Sequence, residues 1–338
     1  MPGLKRFIAI LFITFLSTQL NAQFVQASKE EIIALTPDWK GERFHDGRPK
    51  VSDDILKRMK PVTIEEAWEV VQGQGGFRYQ IAEGWGQQIN PDSVLVGRAF
   101  TATFMPGRPD VWRAIDSMGR KDSVITADGK KVARRAQNVW AVEQLQKGDV
   151  YVADQFGAKR NGPTIGDRVG TDIYTRTGNG IVYDGALRDV EGLKEFKGFT
   201  SFFSSYDPSF HNPGGGQGRD LTTMLVGINK PTNIKGVTVM PGDVVLGKLG
   251  VVIFIPPHLA ERVVKNSERV RLEDMFGQLR IREGKYTSGQ IDARWAPPIQ
   301  QDFTQWLKDN VNKLPVARPQ VEEIIKQRES TSNPTNTN

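Results

Sequence analysis

The sequence predicts an α/β protein with a mixed sheet, flanked by an N-terminal arm and a C-terminal extension. Two observations support this fold class. Residues 148–184 read as a strand, a loop, a helix and a second strand, which is typical of a βαβ unit with a parallel strand pair. Residues 237–255 hold two runs of strand-forming residues around a turn, which predicts an antiparallel hairpin.

The first 22 residues are typical of a secretory signal peptide. Lys5 and Arg6 precede about ten apolar residues, 7–16, and the segment closes on the small residue Ala22. A membrane anchor needs about 20 apolar residues, so this run is too short, and we expect no stable membrane insertion. We expect cleavage after Ala22 and a secreted or periplasmic location. Loss of the two basic residues lowers the net charge from +6 to +4.

The elements before the βαβ unit are predicted as follows. Residues 23–60 are polar, with few periodic apolar positions, and predict an arm that wraps the surface. Thr63, followed three residues later by Glu66, forms a capping box that predicts a helix start. The glycines of 73–76 break this helix. Residues 94–104 are rich in strand formers and predict the first long strand.

Residues 116–138 are polar and carry six basic side chains, Arg120, Lys121, Lys130, Lys131, Arg134 and Arg135. One interpretation is a nucleic-acid patch, and the other is a solvated excursion. We favour the excursion, because no aromatic residues are interleaved for base stacking. The net charge of +6 is small for 338 residues and suits nucleic acid only where it gathers on one face. We therefore expect no nucleic-acid partner.

The βαβ unit and the strand after it are marked by turn residues. Residues 148–154 give a turn and a strand, and residues 165–176 have helical spacing that stops at the glycines of 178–180. Residues 180–184 form an apolar strand, and residues 198–203 predict another. The hairpin strands are then expected within 237–246 and 250–255, before a helix that starts with Pro257 near its first position.

We place one domain at residues 61–265 and a C-terminal extension at 266–330. The extension becomes irregular after about residue 285, apart from short helices predicted around 303–307 and 321–328. Residues 331–338 are polar and predict a disordered tail.

Several classes of site are excluded by composition or spacing. The chain has no cysteine, which excludes thiolate nucleophiles, zinc fingers and iron–sulfur clusters. Residues 242–249 resemble a phosphate-binding P-loop, but Leu249 stands where such a loop needs Ser or Thr. The three histidines, His45, His211 and His258, are far apart in sequence and are interpreted as surface residues.

One group of charged residues remains. Asp167 opens the helix of the βαβ unit, and Arg188 and Asp189 directly follow its second strand. Ligands bind in the crevice at the carboxyl ends of parallel strands, and the loop 157–166 lies at the same end. Oxygen ligands without His or Cys favour Mg²⁺ or Mn²⁺. The alternative is a structural Arg–Asp pair at a helix end, with Asp167 as the N-cap.

Asp167, twenty further residues and the pair Arg188–Asp189 resemble the D-x20-R-D signature of the RraA-like family. The segments VGRAFTATFMPGRPD, GDVYVADQFG, GNGIVYDGALRDVEGL and NIKGVTVMPGDVVLGKLGVVIFIP are similar to the other family motifs, in the same order. Together they cover residues 61–265. The resemblance implies a swivelling β/β/α sandwich with a mixed sheet. The chain departs from the family at Lys248–Gly250, where an aspartate is missing.

The family includes class II aldolases that cleave 4-hydroxy-4-methyl-2-oxoglutarate and 4-carboxy-4-hydroxy-2-oxoadipate, so the resemblance implies a metal-dependent lyase. By this resemblance, Asp189 holds Mg²⁺ or Mn²⁺, Arg188 binds the substrate carboxylate and keto oxygen, and Asp167 orients a water molecule of the metal shell. The substrate carboxylate is then cradled by the backbone N–H groups of Gly166, Asp167, Arg168 and Val169.

The resemblance also implies partners. The substrate is a small anionic oxo acid or sugar-derived acid, and the chain forms a homotrimer or homohexamer with sites between subunits. A neighbouring subunit contributes an acidic residue, for which Glu261, Glu273 and Asp274 are candidates.

Two alternatives remain open at this point. The family also contains a regulator of ribonuclease E, which implies a non-catalytic binding ring. A carbohydrate lyase or dehydratase is the other alternative, with the basic insertion 116–138 and Trp295 and Trp306 of the extension as a sugar platform.

Overall fold

The computed structural model describes residues 25–121, 123–125, 131–133, 136–160, 162–209 and 221–332. Its strands are β1 (Ile81–Ala82), β2 (Gln87–Ile89), β3 (Leu95–Pro106), β4 (Ser123–Ile125), β5 (Lys131–Ala133), β6 (Asp149–Asp154), β7 (Ile181–Leu187), β8 (Ser201–Tyr206), β9 (Thr223–Ile228), β10 (Thr232–Ile234), β11 (Val237–Val239), β12 (Val244–Lys248) and β13 (Val251–Ile255). Its helices are α1 (Lys29–Leu35), α2 (Asp53–Met59), α3 (Ile64–Gly75), α4 (Pro109–Lys121), α5 (Asp167–Thr177), α6 (Val190–Lys194), α7 (Ala260–Arg282), α8 (Ser288–Asp292), α9 (Pro297–Asn310) and α10 (Arg318–Ser332).

The main sheet is mixed, which confirms the predicted fold class. Its strand order is β1-β13-β12-β3-β6-β7-β8-β2, and β9 pairs with the far half of β3. The pairs β3–β6, β6–β7 and β7–β8 are parallel, and the other pairs of this sheet are antiparallel. The parallel strands β6 and β7 are buried along nearly their whole length, as expected for strands covered on both faces.

The predicted βαβ unit is present as β6, α5 and β7. Tyr151 pairs with Ile181 at the start of the parallel register. Helix α5 ends at Gly178, which adopts a left-handed conformation with φ 72° and donates its N–H to the carbonyl of Tyr174. Glycine is favoured there because a side chain is strained at positive φ. The second strand runs to Leu187, three residues beyond the prediction.

Three layers make the sandwich. On one face of the sheet, Ile173 of α5 and Leu193 of α6 share a buried cluster with Tyr151 and Tyr183. On the other face, the small sheet of β10 and β11 packs over β6 and β7 in a second cluster. Helices α2, α3 and α7 cover β12 and β13, and their apolar side chains form a third buried cluster. This arrangement is a β/β/α sandwich.

Residues 25–60, the described part of the predicted surface arm, are docked more deeply than that prediction implies. The segment contains α1 and α2, each capped by a serine side chain, and it buries Ile32 and Met59. Arg48 is fully buried and donates to both carboxylate oxygens of Asp149, at 2.9 and 3.1 Å. The sequence does not indicate this docking, because its anchor is a charged residue whose partner lies 101 residues away.

Several predicted elements differ in their bounds. The Thr63–Glu66 capping box is present, and α3 ends at Gly75, within the predicted glycines, with the left-handed Gly76 as its C-cap. Strand β8 begins three residues later than predicted and ends at Tyr206. The first half of the predicted hairpin divides: β11 pairs with β10, and only Val244–Lys248 pairs with β13. A turn at Gly242, with φ 91°, separates the two strands.

The extension is helical, so the prediction of an irregular chain after residue 285 is wrong. Helix α7 runs through residue 265 without interruption, and α8, α9 and α10 follow it. Their apolar side chains form a core of their own, which includes Phe276, Phe303 and Leu307. Pro297 occupies the first turn of α9, where proline is tolerated.

Two other predictions fall partly outside the described residues. Within 116–138 the structure places the end of α4 and the short antiparallel pair β4–β5, and residues 122, 126–130 and 134–135 are not described. Residues 1–24 and 333–338, which hold the predicted signal peptide and most of the predicted tail, are also outside, as is His211. Among the described helices, none is long and apolar enough to cross a membrane.

Candidate active site at the carboxyl ends of the parallel strands

The structure brings together Gly166, Arg188 and Asp189. Arg188 and Asp189 follow β7 directly, and Gly166 is the N-cap of α5. The backbone N–H of Arg188 donates to the carbonyl of Ile165 at 3.3 Å, which ties the end of β7 to the loop before α5. Asp189 adopts a left-handed conformation with φ 54°, a conformation that aspartate tolerates better than most residues.

Contact between these residues is close. A Cβ atom on Gly166 would lie 2.7 Å from Oδ2 of Asp189 and 2.9 Å from Nε of Arg188. Nε of Arg188 lies 3.6 Å from Oδ2 of Asp189, and the two side chains are 34% and 45% exposed. Position 166 therefore has to be glycine for the guanidinium and the carboxylate to lie against the start of α5. Both charged groups remain open to a ligand.

Asp167 is the first residue of α5, and Gly166 is the N-cap. The alternative that Asp167 is the N-cap is therefore wrong. Its Oδ1 atom accepts from the N–H of Arg168 at 2.7 Å. A Cβ atom on Gly192 would lie 3.3 Å from the Cβ of Asp167, so this side chain lies beside α6. Asp167 is exposed and free to orient a polar ligand at the helix end.

The start of α5 has the properties of an anion cradle. The first N–H groups of a helix have no intrahelical acceptor, and this end of the helix dipole is positive. The N–H of Arg168 is occupied by Asp167, whereas the N–H groups of Gly166, Asp167 and Val169 belong to the N-cap and first turn, where Arg188 lies against Gly166. The βαβ pattern predicted an anion site at this helix end, and the resemblance to the RraA-like family implied the individual positions 166–169.

Asp189 is the residue of this site that fits a divalent metal. It offers a half-exposed carboxylate, and hard oxygen ligands are the type that Mg²⁺ and Mn²⁺ prefer. In the described ranges no group of three His, Cys, Asp or Glu residues is placed to hold a metal. A magnesium ion held here would bind through one carboxylate and would keep most of its water shell.

A second polar cluster lies at the ends of β6 and β7 and was not predicted. Asp154 and Asp184 are register partners at the last rung of the parallel pair. Oγ of Ser204 donates to Oδ1 of Asp184 at 2.7 Å, and Nζ of Lys235 lies 2.9 Å from the same oxygen. Burial raises the pKa of Asp154 to about 6, opposed by the N–H of Phe156 and increased by the Asp184 carboxylate.

The sequence contains a partial signal for this cluster. Asp154 and Asp184 each end a predicted strand of the βαβ unit, so strand ends alone would have placed them at this edge. Lys235 gives no such signal. It occupies the two-residue turn between β10 and β11 with φ 52°, where Asn is the usual choice, and its side chain reaches back to Asp184.

The candidate acids for a neighbouring subunit all lie on α7. Glu261 pairs with Lys265 at 3.1 Å, and Glu273 pairs with Arg269 and Arg328. Helix α7 packs against α2, α3 and α9, whereas the site is built from α5, α6 and the end of β7.

The proposed sugar platform does not assemble. Trp306 is 9% exposed and packs inside the core of the extension. Trp295 lies against Phe276 and Phe303 and donates its Nε1–H to the carbonyl of Ile291. The surface histidines agree with the prediction where they are described: His45 and His258 are both exposed.

A family model described as RraA-like: Aldolase/RraA matches residues 50–253, which is more than half of the sequence. The chain belongs to the RraA-like family. The family includes aldolases and decarboxylases and also non-catalytic inhibitors of ribonuclease E, and its members form oligomers. The family assignment and the β/β/α fold predicted from the motifs are confirmed.

Three known proteins are similar to this chain over different lengths. A protein from Methanocaldococcus jannaschii, MJ0644, which is described as uncharacterized, is 29% identical over 106 residues; these residues are 31% of this chain and 46% of that protein. An uncharacterized protein from Pseudomonas syringae superposes with a TM-score of 0.50 at 19% identity, covering 72% of this chain and 98% of its own. RraAS2 from Streptomyces coelicolor is described as an unusual member of the RNase ES inhibitor RraA family. It superposes with a TM-score of 0.50 at 21% sequence identity, covering 69% of this chain and 98% of its own. At these identities the structures support the fold alone.

Proposed function

We propose that this RraA-like chain is a divalent-metal-dependent carbon–carbon lyase, of the class II aldolase or oxo-acid decarboxylase type. Its substrate is a small 2-oxo acid or a sugar-derived acid. One observation supports this most directly: Arg188 and Asp189 lie against Gly166 at the positive end of α5. A cation, a carboxylate and free backbone N–H groups there can hold one end of an oxo acid and a metal ion together.

The substrate is held through its carboxylate and its keto oxygen. The N–H groups at the start of α5 donate to the carboxylate, and the planar guanidinium of Arg188 donates to the carboxylate and the keto oxygen. Retro-aldol cleavage and decarboxylation both leave a pyruvate enolate, whose negative charge develops on that keto oxygen. Arg188 stabilises the transition state because its charge is already in position.

Asp189 would hold Mg²⁺ or Mn²⁺, which when bound supplies a Lewis acid beside the keto oxygen. The exposed Asp167 carboxylate accepts a hydrogen bond from a water molecule next to the substrate and so orients it. Because Arg188 and Asp189 are adjacent in sequence and follow a buried strand, their separation is fixed by the end of β7.

The proposal is tested by measuring pyruvate and carbon dioxide release across a panel of 2-oxo acids. Arg188→Ala is expected to lose about two to four kcal/mol of transition-state stabilisation, and Asp189→Ala is expected to lose metal-dependent turnover. Arg176→Ala and Asp172→Ala, a surface pair at the other end of α5, are the matched controls and should keep full activity. Turnover without metal, or full activity of Asp189→Ala, would exclude the proposal.

The second candidate is a non-catalytic binding ring of the regulator type. It is supported by the family, which also contains non-catalytic inhibitors of ribonuclease E. Calorimetry with Mg²⁺ and oxalate distinguishes the two. Binding of both supports the lyase, and binding of neither supports the ring.

Export and assembly are proposed on separate grounds. Residues 1–22 have the pattern of a signal peptide, which supports a secreted or periplasmic location and cleavage after Ala22. A homotrimer or homohexamer is proposed because RraA-like proteins form oligomers. N-terminal sequencing of the exported protein and light scattering test these two points.

A further inference from the structure

A cavity of about 300 Å³ lies between the N-terminal segment and the antiparallel end of the sheet. We call it the arm cavity, defined by residues 35–39, Phe77, Gln80, Met240, Asp243 and 256–258, together with Thr238. It shares no residue with the candidate active site. Its volume is sufficient for a small organic molecule.

The walls of the arm cavity are largely apolar and fixed. The Trp39 indole donates its N–H to the carbonyl of Glu42 at 2.8 Å, which holds the ring in place. The Phe77 ring lies 5.9 Å from the ring of His258. Pro256 and Pro257 are buried beside it. Trp39 and Phe77 thus offer two aromatic side chains to a ligand.

The buried carboxylate of the arm cavity belongs to Asp243, which is 4% exposed. Its Oδ2 atom accepts from the N–H of Met240 at 2.9 Å. Within the residues that the structure describes, no lysine or arginine pairs with this carboxylate. Asp149 offers a comparison, because it is also buried and there the fold supplies Arg48 as the counter-ion. A buried carboxylate without a cation is costly, and a bound cation relieves that cost.

The charge around the cavity is suited to a cation. The ionisable side chains that face it are Asp38 at the exposed mouth, Asp243 and His258, and its described lining includes no lysine or arginine. Aromatic side chains beside a carboxylate form the kind of site that recognises organic ammonium groups, through cation–π attraction to the rings. We propose that the arm cavity binds a small organic cation, an ammonium group on a compact apolar body.

Protonation of Asp243 makes this binding depend on pH. Burial raises the pKa of Asp243 to about 7, opposed by the hydrogen bond from Met240. The cation binds the ionised carboxylate, so below that pH it has to displace a proton. Affinity therefore rises between pH 6 and pH 8. His258 also faces the cavity, so the pH dependence is measured on His258→Gln as well as on the unmodified protein.

The experiment compares choline with 3,3-dimethylbutan-1-ol, which has the same shape without the charge, by calorimetry on the purified protein. Choline is expected to bind about tenfold more tightly. Asp243→Asn should remove this preference, and Trp39→Leu should weaken choline binding. The matched controls are Asp92→Asn and Trp68→Leu, exposed residues that do not line the cavity, and these should bind as the unmodified protein does.

Equal affinity for choline and the alcohol would overturn the proposal, as would choline binding that survives both Asp243→Asn and Trp39→Leu. If Asp243→Asn does not fold, choline affinity of the His258→Gln variant is measured at pH values from 6 to 8 instead. An affinity that is constant over this range overturns the proposal. None of these outcomes depends on lyase activity, so the arm cavity is tested independently of the active site.

Discussion

Gly166 determines the geometry of the candidate site through a missing side chain. Gly166→Ala is expected to reduce lyase activity at least about tenfold, because the new methyl group would push Asp189 and Arg188 from their positions. The backbone at Gly166 is extended, so the fold should be kept. Activity and thermal unfolding are measured together.

Gly73→Ala is the matched control for this change. A Cβ atom at Gly73 would meet nothing within 4 Å, and the residue lies inside α3. Alanine is favoured over glycine in a helix, so this variant should be as stable as the parent or slightly more stable. Loss of activity in both variants alike would contradict a specific role for Gly166.

The raised pKa of Asp154 predicts how the stability of the fold changes with pH. Its pKa is raised to about 6 in the folded protein from 3.8, so the folded state binds its proton more tightly than the unfolded state. The stability that this proton contributes is present below about pH 4 and is lost as the pH rises through 6. Denaturant unfolding of the parent and Asp154→Asn is compared at each pH. The parent should lose stability relative to the variant between pH 4 and pH 6, and a constant difference would contradict the raised pKa.

At the scale of elements, the N-terminal segment is part of the domain because Arg48 joins it to β6. Arg48→Ala leaves the Asp149 carboxylate buried without its partner and is expected to destabilise the protein by about 3–5 kcal/mol. Replacing both residues with apolar ones, as Arg48→Met with Asp149→Leu, should cost much less. The two free energies of unfolding are measured in denaturant. Equal losses in the single and double variants would show that the pair itself does not hold the segment.

A second prediction concerns the apolar face of α7, which the helices of the extension cover. Leu272 and Phe276 of α7 are covered by side chains from α9 and α10, including Phe303. Ending the chain at Gly284 would expose that face of α7. The shortened protein is expected to bind a hydrophobic dye and to associate, whereas Lys285→Ala in the full chain should do neither. A shortened chain that stays monodisperse and binds no dye would contradict this packing.

For the whole molecule, the parts that the sequence predicted are those whose residues are close along the chain. The capping box of Thr63, the βαβ unit and the Arg188–Asp189 position all follow from local spacing, because a strand, a turn and a helix are specified by neighbours. The helices of the extension run beyond the predicted 303–307 and 321–328, and Pro297 lies in the first turn of α9, where proline is common.

The parts that were missed depend on residues distant in sequence. Arg48 meets Asp149 across 101 residues. Lys235 reaches Asp184 from a hairpin on the opposite layer of the sandwich. Both are charged side chains inside the fold, and a charged residue in a sequence ordinarily indicates the surface. Tertiary contacts of this kind carry no periodic signal.

Gly166, Arg188 and Asp189 all belong to the single supersecondary unit of β6, α5 and β7, extended by the first turn of α6. β6 and β7 share a ladder and α5 packs directly on them, so the positions of the three residues are set within this one unit. Relative motion of the layers, or closure of a neighbouring subunit over the crevice, would change how a substrate reaches these groups without changing the distances between them. Regulation of this protein is then expected to act on entry and exit, and variants in the outer elements should alter substrate capture while the chemical step keeps its rate.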